Sequence, residues 1–224
     1  MLKSRKRITK KQIKEDPLVT YYFKTMDFLK THSQKITIGV IAVFAVIVLL
    51  TMMVKSKRTA ELNASEQLAR ATMALSANKS QQAIDILLSL NENYSGTSSA
   101  TKGIYYLGKA HYQKGEYDKA QIYFEKFAAK SGKDKIFGSA AYLGLGASLE
   151  QQGKFLEAAR AYQKGADKFP NDFNSDQLLM NAGRCYLKAN QIAEARECYQ
   201  TVVEKFEDSN YKLDAELYLA KLKS

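Results

Sequence analysis

TKGIYYLGKAHYQKGEYDKAQIYFEKFAAKSGKD, residues 101–134, is the stretch whose reading decides the fold. It holds two segments of helical apolar periodicity on either side of Gly115, a residue free to turn the chain. Before the turn, Ile104, Leu107 and Gly108 fall on one helix face; after it, Ala120 and Phe124 stand four apart on another. The same marks return along the chain. Small residues recur at Ala83, Ala120, Ala158 and Ala195, at intervals of 37, 38 and 37 residues. Turn residues recur with them at Asn78, Gly115, Gly153 and Asn190, and a bulky residue stands four after each alanine: Leu87, Phe124, Tyr162 and Tyr199. Ile104-x-x-Leu107-Gly108, Tyr142-x-x-Leu145-Gly146 and Leu179-x-x-Ala182-Gly183 share one pattern upstream. A single two-helix hairpin cannot bury its apolar face, so hairpins that recur in this way stack on one another.

With these marks in view, the segments resemble tetratricopeptide repeats, whose first helix reads aromatic-x-x-Leu-Gly-x-x-Tyr and whose second reads Ala-x-x-x-Phe. Copies cover residues 101–134, 139–172 (which ends in Phe169-Pro170) and 176–209. A more divergent first copy covers 64–97, with Gln67, Arg70 and Ala71 where bulky, Leu and Gly are expected. The resemblance implies an all-α fold, a tetratricopeptide-type α-α superhelix of about four helical hairpins. After the last copy, Leu217-x-x-Ala220 repeats the first half of the pattern, so a capping helix is expected over 210–223, packed through Leu213, Leu217, Ala220 and Leu222.

Upstream of the repeats the chain reads ITIGVIAVFAVIVLLTMMV, Ile36 to Val54, without a charge. At 1.5 Å per residue such a helix is about 28 Å long, close to the thickness of a bilayer core. Lys35 precedes it, and Lys55, Lys57 and Arg58 follow. Bulky basic residues in place of a small-x-small cleavage site argue for an uncleaved signal anchor. The chain therefore divides into a basic arm (1–35), a transmembrane signal anchor (36–54) and a repeat domain (55–224). Ten Lys/Arg and three acidic residues lie before the span, so the positive-inside bias places the N-terminus in the cytoplasm and the repeats across the membrane, in the periplasm of a bacterial cell. Within the arm, MLKSRKRITKKQIKE is a tract able to lie on anionic lipid. Asp16 as N-cap and Pro17 as first helical residue then start a short helix carrying Leu18, Tyr22, Met26 and Leu29 on one face. That helix is read as interfacial, or as a docking site for a membrane partner.

Composition narrows the chemistry. The net charge of +11 over 224 residues sits mainly in the arm, which argues against a nucleic-acid partner for the folded part. Cys185 and Cys198 lack the spacing of a zinc site. They read as two small buried side chains, and their positions across one hairpin leave a single disulfide open. The two histidines, His32 and His111, have no nucleophile partner in any motif, and His111 stands where the repeat wants a packing tyrosine. Gly144-Leu145-Gly146-Ala147-Ser148 lacks the later Gly and Lys of a phosphate loop. No catalytic residue, cofactor site or metal site is expected, and the chain is not read as an enzyme.

A stack of hairpins presents a groove lined by the first helix of each repeat. Spacing puts Tyr105, Lys109 and Tyr112 on its face, then Leu143, Ala147 and Glu150, then Met180, Arg184 and Leu187. Apolar and aromatic groups with a few charges suit an extended or helical peptide. The arrangement of arm, span and repeats is similar to that of the bacterial inner-membrane family related to the ancillary subunit of the SecYEG translocon. The repeats also resemble those of the periplasmic cell-division coordinator that works with Tol-Pal. These resemblances imply protein partners (client peptides, chaperones or subunits of a membrane complex such as a translocon) besides the lipid bilayer. Two readings of function follow: an adaptor that assists translocation or envelope assembly, or a constitutive structural subunit held through its span and outer faces.

Overall fold

The structure, a computed structural model, describes residues 17–130 and 135–222. The basic tract 1–15, the Asp16 cap, residues 131–134 of the second copy and residue 223 of the expected cap lie outside the described residues. The described residues form ten helices: α1 Pro17–Thr31, α2 Ser33–Ser76, α3 Ser80–Asn93, α4 Ser98–Gln113, α5 Tyr117–Lys130, α6 Lys135–Gln151, α7 Phe155–Lys168, α8 Ser175–Lys188, α9 Ile192–Lys205 and α10 Lys212–Lys221. They fall into two compact units, with the division of the chain between Ser56 and Lys57.

The first unit contains α1 and the opening of α2. Pro17 is the first helical residue of α1, as its fixed φ favours. None of the side chains of α1 is buried, and Leu18, Tyr21, Tyr22 and Phe23 are all exposed. In α2 the most apolar window has no buried residue among the described residues, and the helix is long and apolar enough to cross a membrane.

The second unit is a stack of helical hairpins. Its turns show why Asn78, Gly115, Gly153 and Asn190 recur. All four have positive φ, between 58° and 76°. Glycine adopts this conformation without cost and asparagine tolerates it. Each turn closes with the same pair of backbone bonds. At the first, Asn78 N donates to Leu75 O (3.0 Å) and Lys79 N to Ala74 O (2.9 Å). The same pair forms at Gly115, Gly153 and Asn190. This double bond satisfies carbonyls that a helix end leaves free.

The alanine marks and the bulky marks meet in the core. Ala83, Ala120, Ala158 and Ala195 are wholly buried, as are Leu87 and Tyr199. Each aromatic mark lies against the glycine of its own repeat. A Cβ on Gly108 would stand 2.8 Å from the Phe124 ring, one on Gly146 2.5 Å from Tyr162, and one on Gly183 2.6 Å from Tyr199. Bare backbone at these positions lets the ring fill the space between the two helices. In the first copy Ala71 replaces the glycine and Leu87 the aromatic, and both are buried. Both belong to one buried cluster, with the larger small residue and the narrower bulky one at the equivalent positions. The divergent copy is thus built on the same plan, with the end of α2 as its first helix.

Junctions between repeats are polar. The Glu61 carboxylate accepts bonds from Ser98 N (2.7 Å), Ser99 N (3.0 Å) and Ser99 Oγ (2.6 Å), and so caps the start of α4. The Ser99 hydroxyl bond is the main reason its carboxyl is held below the ordinary range.

The cap differs from expectation in its buried face. Helix α10 forms, but Leu213 and Leu217 are 66 % and 53 % exposed, and Ala220 is exposed as well. Ala215 is buried instead, Tyr218 stacks on Tyr199 with ring centroids 4.8 Å apart, and Leu219 and Leu222 pack beside them. Ala215 lets α10 approach closely, and the flat Tyr199 ring selects a flat partner. That rotates the leucines of the expected stripe away, except Leu222.

Candidate protein-binding groove

Successive first helices of the second unit, α4 with α6 and α6 with α8, touch one another, whereas successive second helices do not pack closely. The first helices therefore form one continuous face. Between α4 and α6 this face opens into a cleft of about 410 Å³. Tyr105, Lys109 and Tyr112 line it from α4, and Leu143 and Ala147 from α6. Five of the residues read from spacing are thus brought together at one place.

The cleft is mainly apolar for reasons seen in its walls. Tyr105 packs edge-on against Tyr106, Phe124 and Phe137, and burial pushes its hydroxyl up to about 12. It is therefore a neutral wall at physiological pH. Tyr112 meets Tyr117 edge-on at 5.3 Å. Lys109 is exposed at the rim, with its ammonium 5.8 Å from the Tyr106 ring centre. Sequence spacing did not reveal the floor. Gly144 leaves Phe124 of the neighbouring helix facing the cleft, since any side chain there would overlap its ring. The glycine was legible, but its position over a ring from another helix was not.

The remaining members of the stripe lie elsewhere. Arg184 forms a two-bond fork with Glu150, Nη1 to Oε1 at 2.8 Å and Nη2 to Oε2 at 2.9 Å, and Lys188 reaches the same Oε1 at 2.9 Å. The Glu150 side chain is only 12 % exposed, and that of Arg184 40 %. Burial raises the Glu150 carboxyl, but the Lys188 bond and the two positive charges outweigh it and leave the group below its usual range. Glu150 and Arg184 thus staple α6 to α8. Lys188, missed in the sequence, is the third member; its place four residues after Arg184 was the available signal. Met180 is buried, at 8 % exposure, and Leu187 is half-buried against the same core.

His111 is buried, stacked on Tyr123 at 5.2 Å and bonded through Nδ1 to Glu116 Oε2 at 2.7 Å. It is a packing residue that ties the turn. Cys185 and Cys198 are both free and buried, and burial pushes each thiol up to about 12. Neither is a reactive thiolate near neutral pH. Among the described residues no group of three His, Cys, Asp or Glu side chains could hold a metal ion.

Comparison with known proteins agrees with this architecture. A profile of the tetratricopeptide repeat-like domain matches residues 26–224. The chaperone protein SicA of Salmonella typhimurium is 25 % identical over 122 residues, which span 54 % of this chain and 70 % of SicA. Among solved structures, the kinesin-light-chain-type repeats of Podosopora anserina superpose with a TM-score of 0.57 at 17 % identity, covering 71 % of this chain and 84 % of theirs. That likeness is one of fold. The type III secretion translocator chaperone SycD of Yersinia enterocolitica is 24 % identical, with 56 % of this chain and 93 % of SycD covered at a TM-score of 0.43.

Proposed function

This chain belongs to the tetratricopeptide repeat-like domain family, and from that premise we propose that it is a membrane-anchored scaffold that binds other proteins along the face of its first helices. The observation that carries the reading is the apolar cleft between α4 and α6, with Lys109 at its rim. A preformed apolar hollow with few polar groups is the usual form of a site that takes a side chain from a partner. SicA, named as a chaperone, supports a client-binding use.

The span Ile36–Val54 anchors the chain in the inner membrane, with the arm in the cytoplasm and the repeats in the periplasm. There the scaffold serves protein translocation or envelope assembly, with client segments, chaperones or translocon-type subunits as partners. A constitutive structural subunit is the second reading. It is favoured by the part of the stripe already engaged within the chain, where Arg184 is held by Glu150 and Met180 is buried.

Photo-crosslinking from Lys109 and Ala147 in living cells separates the two. A changing set of client proteins supports the adaptor, and one constant neighbour the structural subunit. If neither position crosslinks while positions in the span do, the groove reading is lost. Orientation is checked with a cysteine introduced at exposed Glu92 and a membrane-impermeant maleimide on intact spheroplasts. Labelling is expected; labelling only after lysis overturns the periplasmic placement. Cys185 and Cys198 are buried and give little background.

A further inference from the structure

The larger hollow of the second unit lies on its other flank. Helices α5 and α7, the second helices of adjacent repeats, stand apart over α6 and leave a cleft of about 700 Å³ between them. Small residues make the hollow: Ala128 and Ala129 on one wall, Ala161 on the other. Ala161 occupies the register at which α5 carries Tyr123, three residues after the alanine mark. Tyr142, Leu145 and Leu149 of α6 form an apolar floor.

The rim is charged unevenly. Helix α7 presents Arg160, Lys164 and Lys168 at four-residue spacing, with Glu157 one turn before them, while α5 presents Glu125. Arg160 and Lys164 are exposed, and neither is paired with a carboxylate among the described residues. Lys168 bridges one end of the cleft, donating to Ala128 O at 3.3 Å with its ammonium 5.8 Å from the Tyr142 ring centre. From Glu157 to Lys168 the basic wall runs about 16 Å, or three helical turns.

We propose that this cleft receives an amphipathic helix of a partner protein, with its apolar ridge on the α6 floor and a row of carboxylates along α7. The walls decide between a helix and a strand. Both are helices whose backbone groups are bonded internally, so they offer no edge to an extended chain. A strand laid on this floor would bury unpaired amides, whereas a helix brings its own bonds satisfied. Charge decides the flank, since the α7 wall carries a surplus of two positive charges. This surface is separate from the first-helix groove and does not depend on it.

The test uses the full chain in lipid nanodiscs and a fluorescein-labelled synthetic helix. The probe has fourteen residues, a Leu/Ala face and Glu at i, i+4 and i+8 on one flank. Anisotropy should show saturable binding, at least tenfold weaker for a copy with Lys in place of Glu and for a proline-interrupted copy. Ala161→Tyr should abolish binding by filling the hollow, with its fold checked by circular dichroism. Lys164→Glu, at an exposed position that leaves the fold intact, should weaken the acidic helix about tenfold and strengthen the basic one. Lys109→Glu, in the groove, should change nothing. The proposal is overturned if the acidic helix binds no better than its variants, if Lys164→Glu leaves the preference unchanged, or if Lys109→Glu removes binding.

Discussion

At Gly146 an added Cβ would stand 2.5 Å from the Tyr162 ring, and the ring has a wholly buried alanine, Ala158, one turn before it on α7. Gly146→Ala should therefore destabilise the repeat domain by about 1–3 kcal/mol, the usual cost of overpacking. The first repeat suggests the remedy, because there Ala71 and Leu87 hold the equivalent positions and are both buried in one cluster. In the double variant Gly146→Ala, Tyr162→Leu the combined loss should be smaller than the sum of the single losses. Urea unfolding followed by circular dichroism measures this coupling, and strict additivity would show that the two positions do not act as a pair. The recurrence of Gly and aromatic was legible in the sequence. That each aromatic lies on the glycine of its own repeat was not, because the two are about sixteen residues apart and meet only when the hairpin closes.

Among the elements, the turns give a contrast that side-chain contacts do not. A Cβ at Gly153 meets no atom within 4 Å, yet φ there is +74°. Gly153→Ala should cost about 1–2 kcal/mol through backbone strain alone. Asn190→Gly, at the equivalent place with φ of 58°, should be neutral or slightly stabilising. Thermal melts of both variants check the sign, and a loss at both would point to a role for the Asn190 side chain. Helix α10 gives a second contrast. Tyr218→Ala removes the ring stacked on Tyr199 and should cost about 1–3 kcal/mol, while Leu217→Ala, at an exposed site, should stay within about 0.5 kcal/mol. Equal effects would restore the face expected from spacing. A ten-residue helix with apolar groups on two sides has no preferred face by itself; α9 chooses it.

Across the whole molecule, charge rather than packing sets the response to acid. Glu61, Glu116 and Glu150 all titrate below the ordinary carboxylate range, Glu116 at about 2 through its bonds from Lys114, His111 and Lys119. Groups lowered on folding stabilise the native state at pH values above the unfolded carboxylate range, near 4–5. That contribution is lost as pH falls through the lowered values. Unfolding midpoints should accordingly drop between about pH 4.5 and pH 2, and Glu150→Gln should flatten the drop while lowering stability at pH 7. A midpoint insensitive to pH in this window would mean that the fork between α6 and α8 contributes nothing.

The sequence by itself determined the helical-repeat class, the four turns, the small and bulky core marks and the one uncharged stretch of membrane length. Each depends on spacing along one chain, and spacing survives without coordinates. Tertiary structure alone decided how the predicted groove is divided. Tyr105, Lys109, Tyr112 and Leu143 line a cleft, Glu150 and Arg184 bind each other, and Met180 is buried. Helical periodicity assigns a residue to a face. Whether that face is open, paired or covered depends on the distance to the next repeat, which residues from another helix set.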